Sequence, residues 1–111
     1  MQSSANQPTY VRPEQVTTII DHLYGAGILV RIEIQEDNGY SVVIIDPEKP
    51  SRLNRDMLGY PEQMETDWLE RFDDEPRLEV ALNKACEWVC EQWPNSSFTP
   101  WYYAYIKPKN S

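Results

Sequence analysis

The chain has 111 residues, 41% apolar and 12% aromatic, which suits one domain with its own core and excludes a disordered polymer. No run approaches the roughly 18 apolar residues of a membrane span. The formal net charge of −8 gives a negative field that opposes nucleic acid and anionic membrane, and it either favours a basic protein partner or serves solubility alone.

Residues 1–11 show no periodic pattern and read as a disordered lead, leaving 12–111 as a single α+β domain. The opening Met-Gln-Ser-Ser has neither the basic start nor the apolar stretch of a secretory signal. The only cysteines, Cys86 and Cys90, stand four apart on an expected helix and suit a reducing compartment, so a cytoplasmic location is expected.

Pro13 fits the first turn of a helix near 13–25, with Glu14 at the positive end of its dipole. Val16, Ile19, Ile20 and Leu23 recur at i, i+3, i+4 and i+7, and Gly25 and Gly27 end the helix with a left-handed cap. His22, the only histidine, lies beside that stripe with no second ligand in view and reads as structural.

Residues 28–46 form the strongest signal. Asn38-Gly39 between two β-branched runs predicts a hairpin with a two-residue turn. That loop length sets Ile34 against Val43, Ile32 against Ile45 and Arg31 against Asp46. One face then carries Ile28, Val30, Ile32, Ile34, Val43 and Ile45. The other is mixed, holding Arg31, Glu33 and Gln35 beside Leu29, Tyr40, Val42 and Ile44.

Pro47 to Pro61 reads as a long loop carrying Lys49, Arg52 and Arg55, cations that suit phosphate or the acids that follow. A helix is expected near 62–72, where Met64, Trp68 and Phe72 stand at i, i+4 and i+8. Asp73-Asp74-Glu75-Pro76 then looks like the acidic start of a helix near 75–93. Leu78, Ala81, Leu82, Ala85, Cys86, Val89 and Trp93 make its apolar arc, with Trp88 and Cys90 at the margins and Val80 turned to solvent. The tail alternates Trp101, Tyr103 and Tyr105 with Tyr102, Ala104 and Ile106 between Pro100 and Pro108. It predicts a third strand near 100–107.

The order of helix, tight hairpin and later helix, carried by Glu14-Gln15-Val16 through Ile45 and then Pro76-Arg77-Leu78-Glu79-Val80-Ala81-Leu82, resembles the small phage and prophage proteins called ABA-sandwich proteins. The resemblance is one of layout. It implies a phage or mobile-element accessory protein of unknown function and transfers no catalytic motif.

No catalytic set is legible, and no cofactor or metal site. His22 has no nucleophile near it in sequence, the four glycines form no phosphate loop, and two thiols with one histidine fall short of a zinc set. Asp37-Asn38-Gly39 lacks the spaced carboxylates of a calcium loop. Ten acids lie between Glu62 and Glu91 against Arg71, Arg77 and Lys84. The expected function is therefore a small acidic protein-binding module, an inhibitor-like protein occupying a partner surface. Its candidate surface is Glu65, Asp67, Glu70, Asp73, Asp74, Glu79, Val80 and Trp88. The alternative is a single-stranded nucleic-acid binder that stacks bases on Trp101, Tyr103 and Tyr105, with Arg52 and Arg55 at the phosphates. Self-association as a homodimer through Val42, Ile44 and the third strand is compatible with either.

Overall fold

Pro13–Gln15 makes a single 3₁₀ turn leading into α1, Val16–Gly25, in a computed structural model that describes residues 9–36, 39–46 and 68–110, with residues 109 and 110 as backbone only. The turn is closed by Gln15 N–H donating to Arg12 C=O (2.9 Å) and by Arg12 N–H donating to Gln15 Oε1 (3.1 Å). α1 buries Ile19 and Leu23. Its glycine end behaves as its composition requires. Gly27 adopts φ +83°, Gly27 N–H donates to Tyr24 C=O, and Ile28 N–H donates to Leu23 C=O, each at 2.9 Å.

β1 (Val30–Gln35) and β2 (Gly39–Ile45) form the expected antiparallel hairpin, and β3 (Trp68–Glu75) pairs antiparallel on the other side of β2. The register differs from that of a two-residue turn. Arg31 faces Val43, Ile32 faces Val42, Ile34 faces Tyr40, and Gln35 faces Gly39. Gly39 is the first residue of β2 and not the second residue of a turn, while residues 37 and 38 lie outside the described residues. Because the offset is odd, β2 turns its other side to the core. Val42 and Ile44 are buried beneath the helices with Ile28, and Val30 and Ile32 pack against them. Val43, expected inside, lies on the opposite face between Arg31 and Arg71. The expected self-association through Val42 and Ile44 is therefore closed off.

The expected helix near 62–72 is corrected over its second half, since residues 68–75 are strand; residues 62–67 lie outside the described residues. A spacing of four is even and would suit a regular strand as well as a helix, but here a bulge sends the two rings to opposite faces, Phe72 against Val42 and Trp68 against Ile45, and the open edge of β2 supplies the backbone partners. Two bulges interrupt β3. One sets Ile44 against Glu70 but Ile45 against Trp68, leaving Leu69 as the extra residue. The other lies between the Tyr40–Glu75 and Val42–Phe72 pairs and contains Asp74 at φ 63°. Asp73, Asp74 and Glu75 thus end a strand. They do not cap the next helix.

That helix, α2, runs over Leu78–Gln92 with Arg77 at its N-cap. It buries Ala81, Leu82, Ala85, Cys86 and Val89 of the expected arc, together with Cys90 from its margin and Asn83, while Leu78 is half-buried and Trp93, expected within the arc, is exposed at the C-cap. Lys84 reaches back to pair with Glu75 at the end of β3.

The tail is not a strand. Phe98–Trp101, a π-helical turn over Tyr102–Ile106, and Lys107–Asn110 form one continuous helix, α3. Phe98, Tyr102 and Ile106 are buried, and their spacing of four defines the inner line that the aromatic alternation obscures. A spacing of four is slightly wide for a turn of 3.6 residues, and the wider π turn keeps the three side chains aligned. Tyr102 stacks on Phe98 and reaches Asn83 and Glu87 of α2 with its hydroxyl.

Residues 1–8 of the expected disordered lead lie outside the described residues, but its end is docked. Val11 is buried in the core, and Asn83 Oδ1 accepts from both Tyr10 N–H (2.7 Å) and Val11 N–H (3.2 Å).

The sheet face away from the helices carries a charge network. Arg71 donates to Glu33 (2.9 Å) and Asp73 (3.0 Å), and Arg31 donates to Glu33 (2.9 Å). Burial pushes the Glu33 carboxyl up, but the two guanidinium hydrogen bonds and charges outweigh it and hold the carboxyl below its ordinary range. The Arg71 hydrogen bond holds Asp73 down as well, against a smaller upward effect of burial. Groups depressed in the folded state add stability above their unfolded values, and that stability is lost as pH falls through the folded values. Urea midpoints are expected to hold between about pH 7 and 5, then drop by about pH 3. Arg71→Gln is expected to lower the neutral midpoint and flatten this acid limb.

Candidate functional cleft

A cavity of about 450 Å³ opens at one end of the sheet, a volume within the range of roughly 300–1,000 Å³ usual for ligand sites. Four pieces of chain converge there. The cap of α1 contributes Ala26, Gly27 and Ile28; the strand ends contribute Ile44, Ile45 and Leu69; the end of α2 and its loop contribute Gln92 through Ser96.

Each wall has a local cause. The positive φ of Gly27 turns the chain so that Ile28 drops into the core while its neighbours form the rim. The bulge takes Leu69 out of the ladder and re-aims it at the cleft, where it is 39% exposed. Pro94 ends α2, leaving Trp93 36% exposed on the lip. Trp93 is braced by Trp88, edge-on at 5.6 Å, and Trp88 contacts Phe72 at 6.5 Å. Its carbonyl accepts from Ser96 N–H (3.0 Å) and Thr99 Oγ1 (2.8 Å), which fixes the loop on the start of α3.

Among the described residues the electrostatics of this end are one-sided. α2 has 15 residues and terminates at the cleft with no basic residue in its last turn, where Glu91 stands instead. The negative end of its dipole therefore meets no cation from its own last turn. Glu70 stands across from Ile44, adding a second carboxylate at the margin. The described lining has apolar atoms, amides and a hydroxyl, with no acid, base or thiol among its side chains. Such a surface can bury a side chain and attract a cation.

The expected acidic surface is not brought together as one free patch. Asp73 is bound by Arg71, and Glu79 lies within 2.7 Å of Arg77. The Glu79 carboxyl is held down first by its own backbone N–H and also by that guanidinium. Asp74 is exposed at the second bulge, and Val80, expected in solvent, is half-buried. Trp88 packs on the core with its ring edge-on to Trp93. Glu65, Asp67, Arg52 and Arg55 lie outside the described residues.

The alternative stacking surface needs a strand that does not form. On α3, Trp101 and Tyr105 share one side, 6.2 Å apart, while Tyr103 lies on another under the Lys107 ammonium, 5.0 Å from the ring centroid. Trp101 is itself covered by His22, stacked at 3.7 Å and 16°, which joins α1 to α3 and gives the lone histidine a packing role.

Both thiols and the Tyr102 hydroxyl are sealed in the core. Burial raises the Cys86 thiol well above its usual value and lifts Cys90 to about 11, with the Thr99 hydroxyl opposing the latter. Burial likewise keeps the Tyr102 hydroxyl protonated, as it bonds Glu87 and Asn83. Among the described residues no group of three His, Cys, Asp or Glu is placed to hold a metal ion, and no helix is long and apolar enough to cross a membrane.

Comparison with protein-family models, with curated proteins and with solved structures returned no match to this chain.

Proposed function

We propose that this chain is a small acidic binding module that seats a basic segment of a larger protein in the cleft beside Trp93. The observation that carries the reading is an apolar cavity of about 450 Å³ at the negative end of α2. A lysine or arginine from the partner matches both features. Its methylene stem fits the Ile28, Ile44 and Leu69 surface, and its cationic head lies over Trp93 and the last carbonyls of α2. The overall charge of −8 adds long-range attraction for a basic partner. An accessory role in a phage or mobile element is the setting implied by the layout resemblance, and it rests on that resemblance alone.

Parallel capture from a host extract tests the proposal. Immobilised wild-type protein is expected to retain a basic protein that elutes as salt is raised, because screening shortens to about 3 Å at 1 M. Leu69→Lys places an ammonium in the apolar wall against the incoming cation and is expected to reduce retention at least about tenfold, the effect of 1.4 kcal/mol. Equal retention by wild type and Leu69→Lys would remove the cleft from the account. Retention by neither, when the variant's fold is intact, would count against protein binding.

A further inference from the structure

The two edges of the sheet are built differently. β3 is broken by two bulges and carries Glu70, Asp73, Asp74 and Glu75, so irregular backbone and like charge oppose the addition of a strand. β1 is regular over its six residues and contains no proline, glycine or lysine. It also holds Ile34 at 79% exposure.

The hydrogen-bond phase of β1 is fixed by one contact. Ile45 N–H donates to Leu29 C=O at 2.9 Å, which makes Leu29–Ile45 a bonded pair. By the observed register, Arg31–Val43, Glu33–Ser41 and Gln35–Gly39 are bonded pairs too. The N–H and C=O groups of Val30, Ile32 and Ile34 consequently point away from β2. Among the described residues no strand lies on that side.

We propose that β1 is the pairing edge for a second copy of this chain, joined antiparallel about Ile32. Ile32 then meets Ile32 of the second copy, Val30 meets Ile34, and Arg31 meets Glu33. Every outward-pointing group finds its complement, giving two backbone hydrogen bonds for each facing pair. The Arg31–Glu33 contacts fall at the closer, non-bonded positions, where opposite charges attract. The segment Val30-Arg31-Ile32-Glu33-Ile34 is its own complement, reading apolar, positive, apolar, negative, apolar.

The charges also select this register. Moving the axis to Arg31 sets Arg31 against Arg31, and moving it to Glu33 sets Glu33 against Glu33. Both keep the backbone in phase and both oppose like charges. Arg31 already lies 2.9 Å from Glu33 within the chain, so the dimer extends existing pairs into a row of alternating sign. It also covers Ile34 with Val30, which packs against the core.

Sedimentation velocity of the full chain over a wide concentration series, with amide exchange in parallel, tests this. The expected result is a reversible monomer–dimer equilibrium in which the amides of Val30, Ile32 and Ile34 slow as concentration rises. Arg31 and Glu33 amides, which donate to β2, should not respond. Ile34→Lys is expected to raise the dimer Kd at least about tenfold without changing the far-UV spectrum or Tm. Arg31→Glu, which sets a second carboxylate against Glu33 of the second copy, is expected to weaken the dimer. A monomer at every concentration overturns the proposal. So does a dimer that Ile34→Lys leaves intact and whose Val30, Ile32 and Ile34 amides stay fast. Ile34→Lys leaves the Leu69–Trp93 cleft untouched, so partner capture by this variant separates the two sites.

Discussion

Tyr102→Ala is expected to cost about 3–5 kcal/mol of folding stability, a large share of the roughly 5–15 kcal/mol of an ordinary domain. The ring is fully buried and stacks on Phe98 at 5.6 Å and 24°, closing the core between α2 and α3. Its hydroxyl approaches Glu87 Oε2 (2.9 Å) and Asn83 Oδ1 (3.3 Å), the same oxygen that holds Tyr10 and Val11. Truncation therefore opens a cavity and loosens the docked N-terminal segment together. Tyr102→Phe separates the two contributions. It keeps the ring, while Glu87 retains Lys107 and Asn83 retains its two backbone donors, so about 1–2 kcal/mol is expected. Urea unfolding of the two variants checks this. Equal losses would mean that the hydroxyl, and not the packed ring, secures α3.

The tail shows why part of this fold was hidden in the sequence. Trp101-Tyr102-Tyr103-Ala104-Tyr105-Ile106 has aromatic residues at both parities, so alternation and helical spacing are equally available. What decides is that Phe98, Tyr102 and Ile106 meet the Asn83–Cys90 side of α2, a contact between segments that local pattern does not contain. α1 and α2 were legible because their apolar stripes and glycine or proline boundaries leave one periodicity. Residues 68–75 were not, since the free edge of β2 is a tertiary partner.

The site divides along the same line. Acidic residues were plain in the sequence, but ion pairs absorb many of those in the described residues, as with Asp73 on Arg71 and Glu79 on Arg77. The cleft was invisible because it depends on a bulge that re-aims Leu69 and on the loop that holds Trp93 open. One signal was present: α2 ends in Glu91-Gln92-Trp93-Pro94, an acid and an exposed aromatic where a cation would ordinarily balance the helix. Asn83 offered a similar clue, as a polar residue within an otherwise apolar arc.

Gly39→Ala is expected to cost about 3–4 kcal/mol, although it adds one methyl at the sheet's end. Asn-Gly marks Gly39 as a residue needing positive φ, and it has φ +104°. The reason differs from a two-residue turn, because Gly39 begins β2 and lies under the crossing from β3 to α2. A Cβ there would sit 2.2 Å from Glu75 O and 2.8 Å from Pro76 Cα. Both are backbone atoms, so no side-chain rotation relieves the overlap. Relief requires lifting Glu75 away from Tyr40, its pairing partner, and this disturbs the end of β3 and the Glu75–Lys84 link to α2. Gly27→Ala is the internal comparison. Gly27 also has positive φ, +83°, but a Cβ there meets nothing within 4 Å, so about 1 kcal/mol of backbone strain is all that is expected. Urea unfolding of both variants, with amide exchange along β3, distinguishes dihedral strain from steric overlap. Overlap predicts faster exchange over Phe72–Glu75 in Gly39→Ala alone; similar midpoints and unchanged β3 protection would leave only the shared dihedral cost.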